Sequence, residues 1–296
     1  MKQLAEPENV ASGVLYVVAT PIGHLDDITI RAIDILKQVD YIAAEDTRHS
    51  KKLLDHYQIT TPSLSLHEHN EAARIPALLE KLQQGEQLAL ISDAGTPLMS
   101  DPGFLLVRAA REAEIPVIPI PGPSALIAAA SAAGIAVNQF CFLGFLPHQP
   151  VARRKLMEKY GSIECTMIVY ESPHRLCATL EDLNQVMGDA RNICIAREMT
   201  KKFETFLYGT AAAVRQQILS DTNQLKGEMV ILIEGRKETE DLALTEVDRL
   251  LKILLEHLSP SHAAKVVARY SGLPKQSIYQ RALAFNENET GAIEDS

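Results

Sequence analysis

Leu88-Ala89-Leu90-Ile91-Ser92-Asp93-Ala94-Gly95-Thr96-Pro97-Leu98 is the stretch on which the reading of this chain turns. A nearly unbroken apolar run, Leu88 to Ser92, stops abruptly in small, acidic, glycine and proline residues. A run without polar alternation suits a strand buried on both faces, as in a parallel sheet covered by helices. Further strand candidates lie at Val14 to Ala19, Tyr41 to Ala44, Ser63 to Leu66 and Val117 to Ile120, of which only Ser63 to Leu66 is interrupted by serines. Longer amphipathic stretches separate them, so the spacing predicts an α/β domain with a mostly parallel sheet. Asp27 is expected to cap a helix through Ile28, Ala32, Ile33, Leu36 and Val39, and Gly85 to end one over Ala72 to Gln84.

A second block carries strand-like runs at Phe140 to Phe145, Thr166 to Tyr170, Ile193 to Arg197, Glu204 to Tyr208 and Met229 to Glu234. Two of them adjoin without a helix between, which predicts a mixed sheet. The bend at Pro147 to Pro150 reads as the linker between blocks. The expected layout is a flexible N-terminus over 1–12, a first α/β domain over 13–137 and a second over 138–236. A helical extension with an acidic tail follows over 237–296. Its helices are expected near Val247 to Leu258, Ser259 to Tyr270 and Pro274 to Phe285, with Gly272 ending the second.

Within 296 residues, 46% are apolar, enough for a substantial core, and no stretch approaches the roughly 20 apolar residues of a membrane span. The opening residues lack a secretory pattern, which points to a cytoplasmic protein. The four cysteines are scattered without a C-x-x-C pair, so neither a metal site nor a disulfide framework is expected. A net charge of −9 argues against non-specific coating of nucleic acid but leaves room for a local basic patch.

Ligands of open parallel sheets bind beyond the carboxyl ends of the strands. Three loops there are unusual: Thr20-Pro21-Ile22-Gly23, Ser92 to Leu98, and Pro121-Gly122-Pro123-Ser124-Ala125. A tight turn would explain any one of them. Neither G-x-G-x-x-G nor a P-loop is present, so a nucleoside triphosphate is not expected. Exposed backbone groups and apolar walls instead suit a ligand with a cationic sulfonium and an amino-acid tail.

The runs Val18 to Thr29, Ala43 to Arg48, Leu66 to Glu71, Ser92 to Gly103, Tyr170 to Arg175, Ala196 to Lys201 and Gly227 to Val230 resemble the small-subunit ribosomal RNA methyltransferase I proteins. Those form an RNA-directed branch of the tetrapyrrole methylase superfamily. The resemblance implies two α/β domains with a cofactor cleft between them, bound S-adenosylmethionine and a homodimer. It also implies methylation of the ribose 2′-hydroxyl of a cytidine in small-subunit ribosomal RNA, met as naked RNA or as the assembled subunit. Carried over position by position, it implies cofactor contacts at Pro21, Ser92, Asp93, Ala94, Leu98, Ser124, Ala125, Tyr170, Glu171, Gly227 and Glu228. Much of the superfamily shows Met where Glu171 stands, which leaves open whether its side chain or only its backbone takes part.

Alkylating a hydroxyl calls for a proton acceptor, an assistance worth about 10²- to 10⁴-fold. Glu45, Asp46, Glu68 and Glu198, with His67 and His69, lie near strand ends, and Asp46 and Glu68 are preferred because their loops follow the second and third strands. Arg48, Arg197 and Lys201 stand beside the same loops and are expected to bind phosphates. A tetrapyrrole methylase and a non-catalytic module binding S-adenosylmethionine or RNA remain as alternatives.

Overall fold

The computed structural model describes residues 13–236 and 240–291. Its first half alternates β1 (Leu15–Val18), α1 (Ile30–Gln38), β2 (Tyr41–Ala44), α2 (Thr47–His56), β3 (Ser63–Ser65), α3 (Glu71–Gln83), β4 (Leu88–Ile91), α4 (Phe104–Glu112), β5 (Val117–Ile120) and α5 (Ala125–Ala132). The five strands pair in parallel in the order β3-β2-β4-β1-β5. Leu88 to Ile91 is buried at every position, as a strand covered by helices on both faces must be. One helix start differs from expectation. Leu25–Asp27 closes a short 3₁₀ turn, Ile28 is extended, and Thr29 caps α1 by accepting from the Ala32 N–H.

The second half contains β6 (Phe140–Phe145), α6 (Pro150–Gly161), β7 (Thr166–Glu171), α7 (Leu176–Met187), β8 (Asn192–Arg197), β9 (Thr205–Thr210), α8 (Ala211–Ser220) and β10 (Met229–Ile233). The sheet order is β6-β7-β10-β8-β9, with only the β6–β7 pair parallel, so it is mixed as expected. The chain changes sheets in the segment between α5 and β6. Pro147 to Pro150 joins β6 to α6 instead of linking the blocks, because β6 already belongs to the second sheet.

Residues 13 to 235 form one compact unit holding both sheets. The reason is α5, an alanine-rich helix of the first half whose Leu126, Ala129 and Ala130 pack with Ile168, Cys194, Ala196, Val230 and Leu232 of the second sheet. Small side chains let the helix approach closely, and apolar burial of this kind is worth about 25 cal/mol per Å². Each sheet with its helices makes one lobe of that unit.

From Arg236 a separate unit begins. It contains α9 (Glu240–Leu255), α10 (Pro260–Ser271) and α11 (Lys275–Gly291) around Val247, Leu251, Ala263, Ala264, Val267, Ile278 and Ala282. Gly272 ends α10 in the left-handed conformation, and Arg281 pairs with Asp248. The flexible start expected over 1–12 and the acidic end of the tail lie outside the described residues.

Candidate functional site: two adjoining clefts

The loops after β1, β4 and β5 are fastened to one another at the carboxyl edge of the first sheet. Thr20 and Gly95 exchange backbone hydrogen bonds of 2.8 and 3.0 Å, and the Thr20 hydroxyl donates to the Ser92 carbonyl. The Thr96 hydroxyl donates to the Pro123 carbonyl at 3.0 Å. The connection from Ile91 to Phe104 is much longer than the roughly 2–6 residues usual for such loops. Its far end is held from below: the buried Glu71 carboxylate accepts from the Leu106 N–H, serving an α4 whose own cap, Gly103, has no side chain to offer. Two residues of this loop, Leu98 and Ser100, adopt positive φ, as do Glu198 and Thr200 in the facing loop of the second lobe. Such backbone persists only where surroundings enforce it, and it gathers at functional sites.

Between the lobes lies a cleft of about 390 Å³, within the range of roughly 300–1,000 Å³ typical of small-molecule sites. The first lobe contributes Asp93, Ala94, Met99, Asp101, Ser124 and Ala125, and the second Phe145, Tyr170, Met199, Met229 and Val230. Phe145 and Tyr170 meet edge to face at 5.6 Å. The Ser124 hydroxyl makes no cap bond to α5, so it and the start of that helix can serve an anionic group, with the Leu126 backbone engaged by the Tyr170 hydroxyl. Glu45, Asp93 and Asp101 supply carboxylates. Burial pushes the Asp101 carboxyl up to about 6, opposed by the Ser92 hydroxyl and reinforced by Glu45 and Asp93. Burial, and then the charge of Asp93, raises Glu45 as well.

A smaller cleft of about 240 Å³ adjoins it. Ile22, Asp93, Ala94 and Glu228 line both. The rest of its wall includes Thr20, Pro21, Gly23, His49, Ser50, Lys52, Ser92 and Lys201. Gly23 is required by space, since a Cβ there would sit 2.6 Å from the Thr200 hydroxyl and 2.7 Å from Lys201 Cγ. The lobes touch at this point, where the His24 N–H donates to Thr200 Oγ1 at 2.9 Å.

Against these clefts the expected residues sort clearly. Asp93, Ala94, Ser124, Ala125, Tyr170, Glu171 and Glu228 line the larger one, whereas Pro21 and Ser92 line only the smaller. Leu98 lines neither, because its side chain packs against the first-lobe core, and Met99, Ser100 and Asp101 take the place expected of it. Gly227 lines neither cleft but packs against Glu198, where a Cβ would come within 2.3 Å of the carboxylate. Glu171 contributes no free carboxylate. Its side chain is fully buried, accepting from the Ser172 N–H at 2.8 Å and Thr179 Oγ1 at 2.6 Å, with Arg175 alongside.

The two preferred proton acceptors both lie outside the clefts. Asp46 caps α2 and is tied to Arg48, whose hydrogen bonds hold its carboxyl down to about 2, and neither cleft includes it. Glu68 is exposed in the turn before α3 and also lines neither. Among the expected phosphate ligands, Arg197 is buried, with its guanidinium donating to the carbonyls of Lys226, Phe203 and Asn223 and to Thr205 Oγ1. It braces the second lobe. Arg48 is exposed and engaged with Asp46, and Lys201 lines the smaller cleft between Glu198 and Glu228 at 3.0 Å from each. His49, Ser50 and Asp101 escaped sequence reasoning. The unusual length of the β4–α4 connection was the available signal for Asp101, and nothing local marks the other two.

Fold and clefts together define a methyltransferase of two α/β lobes, and the chain belongs to the tetrapyrrole (corrin/porphyrin) methylase family, whose profile matches residues 14–215. Residues 241–285 match the RsmI C-terminal HTH domain. The chain is 49% identical to the ribosomal RNA small subunit methyltransferase I of Haemophilus influenzae over 93% of its own length and 98% of that protein. It is 50% identical to the protein of the same name from Xylella fastidiosa over 90% and 98%. The fold is similar to that of a uroporphyrin-III C-methyl transferase from Thermus thermophilus complexed with S-adenyl homocysteine, with a TM-score of 0.52 and 15% identity over 74% of this chain and 97% of that one.

Proposed function

We propose that this chain methylates the ribose 2′-hydroxyl of a cytidine in small-subunit ribosomal RNA, with S-adenosylmethionine as the methyl donor. The larger cleft carries this reading, because its residues match that donor part by part. Asp93, Asp101 and Glu45 suit a cationic sulfonium and ammonium, Phe145, Tyr170, Met199 and Val230 an adenine, and the start of α5 a carboxylate. When bound, the donor supplies an electrophilic methyl group, and most of the rate comes from holding the acceptor oxygen in line with it. The fastened loops of the first lobe do the holding, since backbone tied at Thr20, Gly95 and Thr96 has little freedom to yield. With Asp46 and Glu68 outside the clefts, Asp93 is the carboxylate best sited to take the hydroxyl proton. It lines both clefts, and one of its oxygens is anchored by the Asp46 N–H at 3.1 Å.

The names of the relatives support an RNA acceptor over a tetrapyrrole. No helix among the described residues is long and apolar enough to cross a membrane, and action in the cytoplasm as a homodimer is part of the same proposal. Incubating the protein with methyl-labelled donor and small ribosomal subunits, then digesting the RNA for mass spectrometry, should yield labelled 2′-O-methylcytidine. Label on a porphyrinogen and none on the RNA would overturn the assignment.

A further inference from the structure

We infer that the smaller cleft is the seat of the acceptor nucleotide, with Lys52 as its phosphate contact and the Ser50 hydroxyl as a polar contact inside. The inference rests on the proposed RNA methylation and assigns a place to its substrate. At about 240 Å³ the cleft falls below the range of roughly 300–1,000 Å³ for a complete small-molecule site, but it has room for part of one nucleotide. Because Ile22, Asp93, Ala94 and Glu228 line both cavities, a group seated in the smaller abuts the larger.

Two independent observations point to a ligand. Ser50 is 4% exposed, lines this cleft, and its Oγ has no hydrogen-bond partner. Buried hydroxyls are ordinarily satisfied, and one left open costs stability unless something binds to it. The charges supply the second. Lys201 is balanced by Glu198 and Glu228, whereas Lys52 makes no ion pair among the described residues and stands three positions beyond His49 on α2. Lys52 therefore puts an uncompensated positive charge on the wall of the smaller cleft, whereas the carboxylates of Asp101 and Glu45 line only the larger one. A flexible single strand, with its bases unstacked, is the form of RNA that can place one nucleotide in so narrow a recess.

The test compares Lys52→Glu, Ser50→Ala and the charge-matched Lys155→Glu, which lies on α6 and lines neither cleft. Lys52→Glu should raise KM for small subunits about tenfold while leaving the calorimetric Kd for the donor unchanged. It should also flatten the salt dependence of single-stranded RNA binding by about 0.7 for the lost phosphate contact. Ser50→Ala should raise KM severalfold with an unchanged or higher urea midpoint, an outcome that a purely structural serine would not give. Lys155→Glu should change neither. An unaltered KM in both cleft variants, or a donor Kd that moves in parallel with KM, would sink the inference. If the wild-type protein fails to methylate subunits, the functional reading falls. The cleft is then judged by fluorescence anisotropy with an oligoribonucleotide, where equal affinity of wild type and Lys52→Glu would dispose of it.

Discussion

Asp101 shows how burial turns an ordinary carboxyl into a group that titrates near neutrality. With its value at about 6, it is largely ionised at pH 7.5 and largely protonated at pH 5. Protonation removes a negative charge facing a cationic donor, so affinity should fall as pH drops through about 6. Calorimetric titration between pH 5 and 8 should show that limb, and Asp101→Asn should flatten it. An identical profile in the variant would assign the limb to another group, Glu45 first. Arg197 makes the opposite case, because a cation beside the site serves the protein's own carbonyls. Arg197→Ala leaves several buried acceptors open and should cost at least about 2 kcal/mol of stability, measured by urea unfolding. Lost RNA binding at unchanged stability would return Arg197 to the interface.

At the scale of elements, α5 decides how the lobes meet. Its Ala129 is fully buried between the first lobe and the second sheet. Ala129→Leu adds volume where neither neighbour can retreat, and overpacking of this kind costs about 1–3 kcal/mol. Since α5 begins at Ser124 and Ala125 in the larger cleft, the same change should weaken donor binding as well as stability. A stability loss with unaltered donor affinity would mean that the cleft does not depend on this packing. The β4–α4 connection is the other governing element, supported at its far end by Glu71.

For the whole molecule, the division at Gly235 matters. Among the described residues, every one that lines either cleft precedes it, Val230 being the last, and the helices beyond have a core of their own. A chain ended at Gly235 should therefore bind the donor with affinity within about twofold of the full protein by calorimetry. A loss of binding would show that the helical unit completes the cleft. Any loss confined to RNA affinity would give that unit a part in substrate capture.

The central strands were legible because burial on both faces demands unbroken apolar runs, and Leu88 to Ile91 could hardly be anything else. The three loops were legible too, since glycine and proline mark backbone that must turn at a strand end. Local pattern carries no information about which side chains meet when two lobes close, so Asp46, Glu68 and Arg197 looked as suitable as Asp93 and Lys201. Their fates were set by partners distant in sequence, such as Asn223 and Lys226 for Arg197, with only Arg48 acting locally on Asp46. Local chemistry along the chain was thus enough for the elements and their order. Tertiary packing alone made Ser50 a buried hydroxyl without a partner and brought Asp101 and Tyr170 to one cavity.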